Sequence, residues 1–224
     1  MSSQTHEATR IWDKFYASGH RLWYPYEVVV RLVRYHLAHA PLDGIMLDHG
    51  CGSGNHLEFL SRLGVRTHGT DVSPSALQTV RSRFEGAMLP TPALSLVDPT
   101  VALGPQLPAY DHVIAWGSTH YNIREKVLSD VSDLIEGLPK GGVLVFQVPS
   151  VNDVAARQSE RLPDGSFRIV GEISGQTGAI CTFPANHEEL RGWLRGIDIR
   201  DMGTVATQLL GNNVEYFFAY GVKI

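Results

Sequence analysis

Apolar positions along the chain change period near residue 44, and that change divides it. Before it, YEVVVRLVRYHLAHA places Val29, Leu32, Val33 and Leu37 on one side of a helix. Pro25 precedes the run, where helices start, and Pro41 follows it. After it come short apolar runs closed by turn residues and separated by helical stretches. GIMLDHG, VRTHGTD, ALSLVD, YDHVIAWG and GGVLVFQVP are predicted as strands. SGNHLEFLSRLG, SPSALQTVRSRFEG and NIREKVLSDVSDLIEGL are predicted as the helices between them. Ser73 is a ready N-cap, Pro74 suits a first turn, and Gly86 suits a helix end.

Strands and helices that alternate at this spacing build right-handed βαβ units. The expected fold is α/β: a Rossmann-like, doubly wound, mostly parallel seven-stranded sheet with an antiparallel last strand and helices on both faces. From Ser150 to Pro184 the rhythm breaks in a polar stretch with Pro163, Asp164 and several glycines, which reads as an insertion after the fifth strand. NHEELRGWLRG then resumes as a helix. IDIRDMGTVA and VEYFFAYGVKI read as the two final strands, the last as the antiparallel edge or closing strand, with GNN as the turn between them. The expectation is a single domain over 1–224. It consists of an N-terminal helical cover (1–42), a core (43–149), an insertion (150–185), and a C-terminal helix with closing strands (186–224).

Composition narrows the partners. A net charge of −4 and mixed charges along 224 residues leave no basic footprint for nucleic acid or an anionic membrane. Two cysteines, a polar N-terminus and the lack of any long apolar run point to a cytoplasmic protein without a disulfide framework. The expected partners are a small molecule and, at most, a second copy of the chain.

The chemistry concentrates in LDHGCGSGN, Leu47 to Asn55. It follows a predicted strand and opens a predicted helix, where unpaired N–H groups favour polar ligands. A plain strand-to-helix turn, a metal site, a dinucleotide loop and another cofactor loop all compete for it. Cys51 and His56 lack paired metal-ligand spacing, so no metal is expected. A nicotinamide or flavin loop needs a small residue where Asn55 stands.

The whole stretch LDHGCGSGNHLEFLSRLGVRTHGTDVSPSAL resembles the first two motifs of class I S-adenosylmethionine-dependent methyltransferases. The resemblance covers Gly44 to about Pro149 well. It implies S-adenosylmethionine as methyl donor, S-adenosylhomocysteine as product, and a small-molecule acceptor bearing an O, N, S or C nucleophile. It places Gly50, Cys51, Gly52 and Gly54 against the methionine and ribose, with Asp48 favouring the ammonium. Asp71 ends the second strand and would accept from the ribose diol. Asp98 would meet the adenine amino group, flanked by Val72 and Pro99. Trp116, Gly117, Ser118 and Tyr121, in the loop after the fourth strand, would line the sulfonium, which aromatic faces favour. His120 is the general-base candidate. The aromatic lead-in IWDKFYASGHRLWYPY resembles the cover of small-molecule members, with Trp12, Tyr16 and Arg21 near the pocket and Arg21 paired to the methionine carboxylate. Arg157 and Arg161 in the insertion are candidates for an anionic substrate group. A nicotinamide-dependent oxidoreductase and a non-catalytic cofactor-binding module are the alternatives carried.

Overall fold

The computed structural model describes residues 2–173 and 175–224. A seven-stranded sheet forms its centre, in the order β3-β2-β1-β4-β5-β10-β9. The strands are β1 (Ile45–His49), β2 (Arg66–Asp71), β3 (Ala93–Leu96), β4 (His112–Trp116), β5 (Val143–Pro149), β9 (Ile197–Leu209) and β10 (Asn212–Lys223). The β1–β2, β1–β4, β2–β3 and β4–β5 pairs are parallel. The chain leaves β1 for β2 on one side and returns to β4 on the other. The C-terminal ends of β1 and β4 therefore flank the switch point, where open α/β sheets bind ligands.

Alternation along the strands builds two cores. Leu47, Val113, Ala115, Leu144 and Phe146 pack against α5 (Arg124–Glu136) and α7 (His187–Trp193). Met46, Ile114, Val143 and Val145 face α2 (Glu27–Leu37) and α3 (Asn55–Arg62). Both faces are covered, so these strands carry apolar residues on both faces. The helix α4 (Pro74–Gly86) begins as its sequence predicts: Ser73 accepts from the Ala76 amide and Pro74 opens the first turn.

The closing strands depart from expectation in two respects. The last strand, β10, is antiparallel to both neighbours but lies between β5 and β9, which leaves β9 at the edge. The aromatic run Tyr216–Tyr220 explains the placement, because an interior strand buries both faces and Tyr216, Phe217, Ala219 and Tyr220 are all buried. The hairpin turn is Leu210–Gly211, not GNN, with φ of 51° and 80°. A two-residue turn of this hand requires φ > 0 at both positions. Asn212 and Asn213 already pair within the ribbon.

The insertion folds as α6 (Val154–Arg157) and a small antiparallel sheet of β6 (Ser159–Arg161), β7 (Phe167–Ile169) and β8 (Ile180–Cys181). It encloses a separate apolar cluster of Ile169, Ala179, Cys181 and Phe183. Against it lies α1 (Ser2–Ala17). This helix is fastened by Asp13, whose carboxylate accepts from the Ser73 hydroxyl at 2.8 Å and the Ser75 amide at 2.9 Å. Those bonds, chiefly the Ser75 amide, lower the Asp13 pKa. The cap therefore stabilises above the ordinary carboxylate range and is lost as pH falls through the lowered pKa. Asp13→Ala is expected to cost about 1 kcal/mol and to make α1 the first site of limited proteolysis. An unchanged digestion pattern would show that α1 is held otherwise.

Candidate active site

A cleft opens at the switch point. Its walls gather ten of the residues singled out in the sequence: Trp12, Tyr16, Gly50, Asp71, Val72, Asp98, Pro99, Gly117, Ser118 and Tyr121. They come from α1, from the β1–α3 loop and from the ends of β2, β3 and β4.

The glycine loop is shaped by close approach. Gly50 has φ of 70°, and a Cβ there would run into the Ser118 side chain. Gly52 has φ of 51°, and a Cβ there would meet the Tyr16 hydroxyl. Only glycine fits both the conformation and the space. The loop is tied to β2 through Gly50 and Cys51, whose amides donate to the Thr70 carbonyl at 2.8 and 2.9 Å.

Asp71 joins the two motifs. It accepts from the Gly52 amide at 2.8 Å and the Ser73 amide at 2.9 Å, and it lines the cleft. Burial raises its pKa to about 6, against the lowering effect of those amides. Asp48 lies 1% exposed at the end of β1, and its Oδ2 meets no donor among the described residues. Burial, reinforced by the charge of Asp71, raises its pKa to about 8. A buried acceptor without a donor is costly, and a cationic ligand group relieves the cost. Asp98 caps its own loop by accepting from the Thr100 amide at 2.8 Å. Apolar Val72, Val97 and Leu103 stand beside it in the cleft wall. Two acidic acceptors, a close-packed glycine loop and an apolar slot suit the ammonium, ribose and adenine of S-adenosylmethionine. Trp12 and Tyr121 meet edge to face at 4.5 Å and form an aromatic wall of the cleft, of the kind that favours a cationic group.

Other sequence candidates fall outside the cleft lining, and Asp48 is among them, buried one residue behind His49, which does line it. Trp116 faces the α2–α3 side of the sheet, among Tyr26, His56 and Tyr216, because its register follows Ile114. Cys51 is buried behind the loop among Leu57, Leu77, Val80 and Phe84, where burial raises its thiol pKa. Gly52 and Gly54 shape the loop from outside the lining. Arg21 is exposed and away from the walls. Arg157 and Arg161 are exposed on the outer face of the insertion, away from the cleft and from the groove beside it. His120 is 2% exposed beneath the Tyr121 ring, 3.9 Å between centroids. Burial lowers its pKa to about 3, so it is a neutral imidazole and a weak base near pH 7.

The cleft also contains residues that pattern reading passed over: His49, Val97, Leu103, Thr119, Asn122, Lys126 and Asp130. Thr119 and Asn122 belong to the same GSTHYN loop as the chosen residues, so contiguity was their signal. Lys126 and Asp130 are one helical turn apart at the start of α5, a spacing that pairs them on one face.

The aromatic lead-in is anchored by Arg83 of α4. It donates to the Leu22, Ser53 and Trp23 carbonyls, each at 2.7 Å, and pairs with Glu58 at 2.8 Å, with its side chain 8% exposed. Arg83→Met would strand those acceptors. The expected cost is roughly 3 kcal/mol, read as a melting-temperature fall of roughly 6–12 °C. A fall below ~2 °C would show that water replaces the guanidinium.

The switch-point cleft, the glycine loop and the paired acidic strand ends define a Rossmann-like ligand site at the C-terminal ends of the parallel strands. Residues 46–142 match the family model for a methyltransferase domain. Over 164 residues the chain is 29% identical to a trans-aconitate 2-methyltransferase of Afipia carboxidovorans, covering 68% of this chain and 58% of that protein's length. Among solved structures, an S-adenosylmethionine-dependent methyltransferase from Anabaena variabilis superposes with a TM-score of 0.69 at 20% identity, covering 96% of this chain and 95% of that one. The N-methyltransferase NodS of Bradyrhizobium japonicum, in complex with S-adenosyl-L-homocysteine, gives 0.63 at 16% identity and 99% of both chains. Over residues 46–142 the chain is thus similar to a methyltransferase domain, and its fold is the one seen in S-adenosylmethionine-dependent methyltransferases of known structure.

Proposed function

We propose that this protein transfers the methyl group of S-adenosylmethionine to a small-molecule acceptor. The observation that carries the reading is the pair of buried carboxylates at the ends of β1 and β2. Asp71 faces the cleft while it holds the glycine loop, and Asp48 keeps an acceptor atom with no donor among the described residues. In this reading Asp71 holds the ribose, Asp48 the ammonium, and Val72, Val97 and Leu103 enclose the adenine. Bound S-adenosylmethionine supplies an electrophilic methyl group on a sulfonium leaving group. The chain's part is to hold that donor, align the acceptor in line, and exclude water. The cover formed by α1 and the insertion suits an enclosed small acceptor. The relative named for trans-aconitate favours one that bears a carboxylate. The two buried free thiols, Cys51 and Cys181, accord with a reducing cytoplasm. Incubation with methyl-labelled donor and a panel of small carboxylates, followed by mass spectrometry, tests the transfer. A mass increase of one methyl group on an acceptor is expected. Labelled donor that binds without any transfer across carboxylate, amine and thiol panels would favour a binding module instead.

A further inference from the structure

A second groove runs beside the donor cleft and shares Pro99, Tyr121, Asn122 and Lys126 with it. One wall is the loop after β3, with Val101 half exposed at 49% and Ala102 beside it. The opposite wall is Gly178, Ala179 and Ile180 of the insertion, and the floor is the first turns of α5. The lining is thus mainly apolar, and it meets the cleft at Tyr121, next to Trp12.

Lys126 is the one lysine or arginine on the walls of either cavity among the described residues. Its side chain is 19% exposed and pairs with Asp130, which is 15% exposed. An ammonium carries three N–H donors, and Asp130 is its one hydrogen-bond acceptor among the described residues. Lys126 can therefore bind a second carboxylate without giving up its first. The helix adds to this, because the α5 N-cap, Ile123, makes no side-chain cap hydrogen bond, and Ile123 and the first turn of α5 line the groove. Glu125, on the same turn, repels further negative charge and so limits the groove to one anionic group.

We propose that this groove is the acceptor's subsite, that it takes a small apolar carboxylate, and that Lys126 holds the carboxylate end. The proposal rests on the methyltransferase reading, and it gives the anion-binding role to Lys126 in place of Arg157 and Arg161. The apolar walls seat the rest of the acceptor, and the junction at Tyr121 leads its nucleophile toward the sulfonium.

Ligand-observed NMR with sorbate, a six-carbon unsaturated carboxylate, and its neutral methyl ester tests this directly. Both are titrated into the whole chain, with and without saturating S-adenosylhomocysteine. Sorbate is expected to bind at least ~10-fold more tightly than the ester. Lys126→Met should bring that ratio close to one. Ser129→Trp, on the exposed side of α5 and filling the groove, should remove both probes and leave S-adenosylhomocysteine binding in place. Equal binding of acid and ester by the unaltered protein would overturn the proposal. So would a ratio that survives Lys126→Met, or probes that still bind to the Ser129→Trp variant. Failure of S-adenosylhomocysteine to bind would instead count against the methyltransferase reading, because the sorbate ratio is also read without it.

Discussion

Asp71→Ala weakens S-adenosylhomocysteine binding by roughly 100-fold or more. A carboxylate hydrogen bond to a ligand hydroxyl contributes about 1.5–3 kcal/mol, and a ribose diol offers two. The same carboxylate fixes the Gly52 and Ser73 amides, so its loss also loosens the loop that the methionine must touch. The effect should be larger on affinity than on folding, because Asp71 is itself strained by burial, with its pKa raised to about 6. Calorimetry with the folded variant reads the affinity, and a thermal melt run alongside shows that the fold persists. An affinity within twofold of the unaltered protein would remove Asp71 from the ribose site.

If Asp48 meets the ammonium as proposed, cofactor binding is expected to depend on pH in a definite direction. In the ligand-free protein its pKa is raised to about 8, so at pH 7 it is mostly protonated. An ammonium placed beside it favours the carboxylate, so binding expels the proton. Affinity for S-adenosylhomocysteine should rise from pH 6 to pH 8, by up to ~10-fold per unit, and then flatten. At pH 7 calorimetry in buffers of different ionisation enthalpy should report release of roughly one proton. Asp48→Asn should abolish both effects.

Stability follows the opposite course. A carboxyl whose folded pKa is raised contributes stability below its unfolded pKa, and that stability is lost as pH rises through the folded value. The ligand-free Asp48→Asn variant should therefore melt higher than the unaltered protein at pH 8, by roughly 5 °C for ~2 kcal/mol. A site that binds well at the expense of the empty fold behaves in this way. A flat pH profile for affinity, or an Asp48→Asn protein that melts lower, would contradict the assignment.

The parallel core was legible because each strand is a short apolar run and each helix carries its own punctuation, as with Ser73, Pro74 and Gly86. Asp71 was legible because it ends a strand about twenty residues past the glycines. What the sequence could not show is direction across the sheet. Trp116 and Gly117 are neighbours, yet Gly117 lines the cleft while Trp116 faces α2, and only the register of β4 decides which. His120 is the general-base candidate by residue type, but the insertion closes over it: the Thr182 amide donates to its carbonyl at 2.8 Å, and Phe183 lies 6.0 Å from its ring. Arg157 and Arg161 suited an anion by type but face outward on the insertion. Lys126 sat unnoticed in a helix that read as an ordinary amphipathic one. Its role depends on the groove, which forms between segments distant in sequence.

The most direct test of the account is a calorimetric titration of the ligand-free protein with S-adenosylhomocysteine at pH 7, set against NADH under the same conditions. One site per chain for S-adenosylhomocysteine is expected, with proton release and no heat from NADH. Saturable NADH binding, with no binding of S-adenosylhomocysteine at millimolar concentration, would contradict it.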